Sequence, residues 1–198
     1  MKHRFSPLLY DRAILFVIVV RNRKESLNLR KVEIKPYNKA WPSMFEEEAN
    51  TLRGIFDSEM INIHHIGSTS VDGLKAKPII DIMPVVKNIS RVDLFNTAMI
   101  DIGYEPKGEN GIPGRRYFQK GGDDRTHHVH IYELSNSQIV RHLAFRDYLR
   151  SHPGVVKEYG NLKELLSQRF PNDIEAYIHG KEQLVCEIEK RQWCGIRI

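Results

Sequence analysis

Cysteine is scarce in this 198-residue chain: there are two, Cys186 and Cys194, both near the C-terminus. That number and spacing exclude a disulfide framework and a structural zinc knuckle. A reducing, cytoplasmic setting is the expectation that follows. Long apolar runs are missing too. Residues 13–20, AILFVIVV, make a run of eight, far short of a membrane-spanning helix. Charged residues flank it on both sides and no small-residue cleavage site follows, which speaks against a signal peptide. The run reads either as a buried strand or as an extension from an upstream start codon, so residues 1–30 are set apart as an N-terminal extension. Internal repeats, low-complexity segments and a long basic tail are all absent. The net charge of +5 is scattered, which is compatible with anionic small molecules or weak nucleic-acid contact and demands neither.

What is present is ordinary globular texture, 41% hydrophobic and 28% charged, enough for one domain with a real core. Residues 31–195 read as that domain. Val32 and Ile34 alternate with charged neighbours as in a short strand. Pro42 suits the first turn of a helix whose apolar face is Phe45, Ala49, Leu52 and Phe56. Residues 61–66, INIHHI, and 78–86, PIIDIMPVV, read as strands, the second more deeply buried, with a loop or single helical turn between them. Ser90 is placed as the cap of a helix with Leu94, Ala98 and Ile102 inward and Gly103 as its stop. RRYFQK, GGDD and HHVHIYEL form a hairpin. Three helices follow from Ser135, the first ended by Pro153, with Leu162, Leu165 or Leu166, Phe170, Ile174, Ile178, Leu184 and Ile188 as a core stripe. The expected class is α+β, a mixed sheet with flanking helices and a C-terminal helical layer.

Three features carry chemistry. Gly67, Ser68, Thr69 and Ser70 form a turn whose backbone N–H groups and hydroxyls can hold phosphate oxygens, or which can serve as a plain strand-to-loop turn. Asp81 lies inside an apolar strand, where a carboxylate is costly unless hydrogen-bonded, paired or bound to a metal. It reads as a Mg²⁺ ligand facing the turn or as a structural carboxylate paired with Lys77 or a backbone amide. Strand alternation puts Asp81 and Met83 on one face, and His128, His130 and Tyr132 on one face of the later strand. His128 and His130 are candidate bases or phosphate contacts, and their spacing is also open to a transition metal given further ligands. Lys77, Arg115, Arg116, Arg125, Arg141, His142 and Arg146 are candidate anion contacts.

The stretches VEIKPYNKAWPSMFEEE, HIGSTSVDGLKAKPIIDIMPVV, RHLAFRDYLRSHP and YIHGKEQLVCEIE resemble the GrpB family from Val32 to about Trp193. That family is similar in fold to the nucleotidyltransferases, whose mark is a Gly-Ser turn followed by a strand with two carboxylates. The resemblance implies Mg²⁺-dependent nucleotidyl transfer to a small acceptor. Ser68 and Ser70 would hold the terminal phosphates, Asp81 the metal, and His128 or His130 would act as base or phosphate contact. The pattern departs at Met83, which stands where the second carboxylate is expected. A catalyst of this type would need Asp123, Asp124 or Glu133 to fold to within metal-ligand distance of Asp81. The alternative is a non-catalytic domain binding a nucleotide or phosphometabolite. Coenzyme A is suggested there by association, through relatives joined to dephospho-CoA kinase.

Overall fold

The computed structural model describes residues 31–195. The N-terminal extension and its strand reading lie outside them. Five strands are present: β1 (Met60–Ile66), β2 (Ile80–Val86), β3 (Tyr104–Pro106), β4 (Arg115–Lys120) and β5 (His127–Glu133). They form a single mixed sheet in the order β1-β2-β5-β4-β3, antiparallel throughout except for the parallel pair β2–β5. The β4–β5 hairpin turns through Gly121 and Gly122, both at positive φ. Among the described residues no helix is long and apolar enough to cross a membrane.

Helix α1 (Trp41–Phe56) lays Trp41, Phe45, Ala49, Leu52 and Phe56 on the back of the sheet, the face of Ile80, Ile82, Val129 and Ile131. Each such side chain contributes about 1.5–3 kcal/mol on burial. The short helix α2 (Asn96–Asp101) covers the same face through Met99. The front face is covered in part by α3 (Ser137–Ser151), whose Ile139 and Leu143 pack on Ile66, Met83, Val85 and Tyr132. Next come α4 (Pro153–Arg169) and α5 (Ile174–Gly195). The three form a layer whose Leu149, Val156, Tyr159, Leu184 and Ile188 enclose Val71 and Leu74 of the loop after β1. The mixed α+β class is thus the observed one.

Two expectations are corrected. Val32 and Ile34 form no strand: a lone antiparallel bridge joins Lys35 to Ala76, and Val32 buries itself against Leu166 and Tyr177. The segment after β2 begins as a 3-10 helix over Ile89–Phe95 capped by Asn88, whose side chain accepts from the Ser90 N–H at 2.9 Å. That tighter winding rotates Leu94 outward, to 76% exposure, and puts Val92 inward. Pro153 opens α4 as well as closing α3, since its ring suits a first helical position. Of the paired alternatives in the C-terminal stripe, Leu166 is buried and Leu165 is exposed.

Candidate functional site

The site lies on the front of the sheet, at the junction of β1, β2 and β5. Register brings Asp81 opposite Ile66 on one side and opposite His128 on the other. Period-two alternation then adds His130 from β5, and Arg115, Tyr117 and Gln119 from β4, to the same face. The Asp81 Oδ1 atom lies 3.1 Å from His128 Nδ1 and 3.7 Å from His130 Nε2. Its side chain keeps 26% exposure, and each imidazole keeps 17%, so the group is open to a ligand. Burial alone would raise the Asp81 carboxyl, but hydrogen bonds and charge from His128 and His130 hold it far below the ordinary carboxylate range. Burial pushes His130 down, against the pull of Asp81.

Gly67 explains how the turn and the carboxylate meet. It adopts φ 67° and ψ −170°, and a Cβ built on it would sit 2.2 Å from Asp81 Oδ2. Only glycine lets the backbone pass this close to the acid. The hydroxyls of the turn have divided roles. Thr69 donates to the Ile79 carbonyl at 3.0 Å and accepts from His65 Nε2 at 3.1 Å, buried at 1% exposure. Ser70 donates to the Gly67 carbonyl at 2.6 Å. Both are thus engaged in shaping the turn. Ser68 instead accepts from Lys163 Nζ at 3.0 Å.

Lys163, at 2% exposure, is a residue that sequence reasoning passed over. It stands on α4 between Tyr159 and Leu166, in the buried stripe Val156, Tyr159, Lys163, Leu166. A lysine at an apolar-stripe spacing was the available signal. Its Nζ lies 4.7 Å from the centre of the Tyr159 ring, and it makes no ion pair among the described residues. Burial pushes its pKa well down, Lys181 and Lys77 add to this, and Asp81 opposes. Lys77 and Lys181 flank the Tyr177 ring at 5.8 and 5.5 Å, so three lysines converge behind the turn.

The other candidates fall elsewhere. Arg116 is on the back of the sheet, bidentate to Asp93 at 2.7 and 2.8 Å, and does not join the site. Its neighbour Arg115 does, with Nη1 3.4 Å from His130 Nδ1. Arg125 donates to the Gly122 carbonyl, and Arg141 pairs with Glu189. Arg146 and Arg150 clamp the turn by donating to the carbonyls of His65 and Ser70. His142 is close to His130, ring centres 6.0 Å apart. Glu133 accepts from the Ile89 N–H at the far end of β5. Among the described residues the cluster with metal-ligand spacing is Asp81, His128 and His130, with no second carboxylate. Magnesium prefers an octahedral shell of oxygen. One carboxylate with two imidazoles does not fit the magnesium centre that the resemblance implied.

His65 gives the fold a pH dependence. It points to the back of the sheet, stacked on Phe45 with ring centres 4.7 Å apart. Burial drives its pKa from 6.5 to about 4, Asp81 opposes, and Arg150 and Arg146 add to the drop. The folded ring resists protonation that the unfolded ring accepts, so its contribution is complete above pH 6.5 and is lost as pH falls toward 4. The loss is on the order of 3 kcal/mol. Melting temperature is expected to fall across that window, with a shallower slope in His65→Gln. A wild-type midpoint unchanged from pH 7 to about 4.5 would contradict this assignment.

Comparisons with known proteins extend the geometry. A family model described as GrpB protein matches residues 31–191. The UPF0157 protein YqkA of Bacillus subtilis is 52% identical over 166 residues, 83% of this chain and 48% of that protein, so the chain spans about half the length of that relative. The glutamate-rich protein GrpB of Alkalihalophilus pseudofirmus is 34% identical over 82% of this chain and 96% of its own length. The crystal structure of conserved protein GrpB from Enterococcus faecalis superposes with a TM-score of 0.78 at 47% identity, covering 81% of this chain and 96% of that one.

Proposed function

The chain belongs to the GrpB protein family, and from that premise we propose that the turn Gly67–Ser70 and the lysines behind it bind the phosphate groups of a nucleotide or phosphorylated small molecule. The observation that carries this reading is Lys163. A buried lysine on a serine hydroxyl, with two further lysines nearby and no carboxylate partner among the described residues, is costly until an anion arrives. A phosphate oxygen beside Ser68 would be bound by Lys163 and by the turn's backbone N–H groups. Asp81 then stands at the reacting end, flanked by the two imidazoles.

The activity this arrangement would serve is nucleotidyl transfer to a small acceptor. The acceptor oxygen would attack the α-phosphorus, pyrophosphate would leave toward the lysines, and His128 or His130 would take the acceptor proton. A second reading is favoured by one observation: no carboxylate joins Asp81 in the metal-spaced cluster among the described residues. On that reading the domain binds its ligand and does not turn it over.

Thermal shift against ATP, CTP, GTP, UTP and a coenzyme A precursor, paired with a pyrophosphate-release assay, tests both. Stabilisation by a phosphorylated compound at a hundredfold excess over its Kd corresponds to about 2.7 kcal/mol. It is expected in wild type and absent in Lys163→Met. Release of pyrophosphate, lost in Asp81→Ala, supports transfer, whereas binding without release supports the second reading. No shift with any phosphorylated compound sinks both.

A further inference from the structure

The donor set around Asp81 misfits magnesium but suits a different ion. We propose that Asp81, His128 and His130 form a site for one divalent transition-metal ion of the zinc and nickel class. One donor atom from each residue lies within 4.8 Å of the others. Two ligands of a tetrahedral zinc ion, each about 2.1 Å from the metal, stand about 3.4 Å apart. The distances from Asp81 Oδ1, 3.1 Å to His128 and 3.7 Å to His130, bracket that edge. Imidazole nitrogen with one carboxylate is a borderline-soft set that favours such ions over the hard, oxygen-seeking magnesium.

The ring nitrogen that His128 brings to this set is Nδ1, the one facing Asp81. The Nε2 atom of His128 is buried and has no hydrogen-bond partner. Buried ring nitrogens are ordinarily paired. With Nδ1 turned toward Asp81 and the ion, Nε2 carries the ring proton, and its lack of a partner lies outside the metal-facing set. His130 is set differently. Arg115 Nη1 faces its Nδ1 at 3.4 Å, and a metal on Nε2 moves the ring proton to Nδ1, so that contact must give way. Arg115 keeps its bonds to the carbonyls of Glu109 and Asn110 when it does. The set offers three protein ligands, leaving a position for water or substrate, the pattern of catalytic rather than structural sites. The site is a property of three side chains and stands whether or not a phosphate ligand binds behind the turn, but a ring nitrogen that ligates the ion cannot also take the acceptor proton.

The test uses metal alone. The 198-residue chain is stripped with chelator, then titrated with Co²⁺ in the absence of any phosphate compound and followed by visible absorption, with Zn²⁺ as competitor and Mg²⁺ as control. One equivalent of Co²⁺ is expected to give d–d bands, abolished by Zn²⁺ and untouched by Mg²⁺. Affinity is expected to fall more than tenfold in His128→Ala and in His130→Ala, and to hold in His179→Ala, an exposed histidine on α5. Electron paramagnetic resonance of wild type loaded with one equivalent of Cu²⁺ is expected to show two imidazole nitrogens, a readout independent of how the variants fold. No saturable Co²⁺ binding, equal competition by Mg²⁺, or a copper spectrum without imidazole overturns the proposal. Loss of phosphate binding in Lys163→Met with the cobalt spectrum intact concerns the phosphate reading alone.

Discussion

Gly67→Ala is expected to destabilise the fold by about 3 kcal/mol or more and to abolish ligand binding at the site. Two costs combine. The backbone at φ 67° and ψ −170° lies in a region nearly closed to side chains, which costs about 1–3 kcal/mol. The new Cβ would also lie 2.2 Å from Asp81 Oδ2 and 2.9 Å from its Cγ. The carboxylate cannot swing aside freely, because His128 and His130 hold its other oxygen. Gly73 separates the two costs. It has φ 72° but nothing within 4 Å of its virtual Cβ, so Gly73→Ala carries only the backbone cost. For a chain of this size each kcal/mol shifts Tm by about 2–4 °C, so a fall on the order of 10 °C is expected for Gly67→Ala and a smaller one for Gly73→Ala. In the double variant Gly67→Ala/Asp81→Ala the 2.2 Å clash with the carboxylate is relieved, leaving only the 3.0 Å contact with the Asp81 Cβ, and a double-mutant cycle should return a favourable coupling. Equal losses at Gly67 and Gly73, with zero coupling, would mean that the close approach to Asp81 has no energetic weight.

Lys163→Met is expected to act in opposite directions on stability and on binding. The lysine sits at 2% exposure with a serine hydroxyl and the Tyr159 ring as its surroundings. The ring offers an ammonium about 2 kcal/mol when desolvated. Desolvation together with Lys181 and Lys77 acts against it and pushes the lysine's pKa well down. Methionine keeps nearly the same length without the charge, and apolar replacement of buried ionic groups often gains 1–4 kcal/mol. A rise in Tm of several degrees is therefore expected, together with loss of stabilisation by any phosphorylated ligand. The pH profile carries a further sign. A lysine depressed in the folded state binds fewer protons there than in the unfolded chain, so wild-type stability rises as pH climbs toward 10.5. That rise should be missing in Lys163→Met. A lower Tm with ligand binding retained would remove Lys163 from the phosphate site.

The parts of the site that were legible in the sequence are those that strand alternation controls. His128 and His130 share a face because residues two apart do, and an acid among isoleucines marks itself, although only the register of β2 against β5 puts Asp81 on that face. The same rule failed on the adjacent pair Arg115 and Arg116. One of them had to face the site, and only the register of β4 against β5 decides which. The turn was found by composition, yet Thr69 and Ser70 use their hydroxyls on nearby backbone and side-chain groups, as short polar side chains in tight turns tend to do. Lys163 was hidden for another reason. Its partner Ser68 is 95 residues away, and only the docking of α4 on the turn brings them together. Leu94 was placed inward on a 3.6-residue period, but the 3-10 winding there has a different one.

The parallel pairing of β2 with β5 also dictates when the site comes into being. Asp81 and His128 are 47 residues apart, and β5 bonds to β2 on one edge and to β4 on the other. A hairpin of β1 and β2 holds the acid, and a hairpin of β4 and β5 holds both imidazoles, each assembled from local contacts. Neither half contains the cluster. It appears only when the two hairpins join, the step that closes the longest loop within the sheet. Capture of an ion by all three ligands would therefore double as a check on maturation: a half-formed chain offers the metal at most the two imidazoles, and only a closed sheet adds the acid.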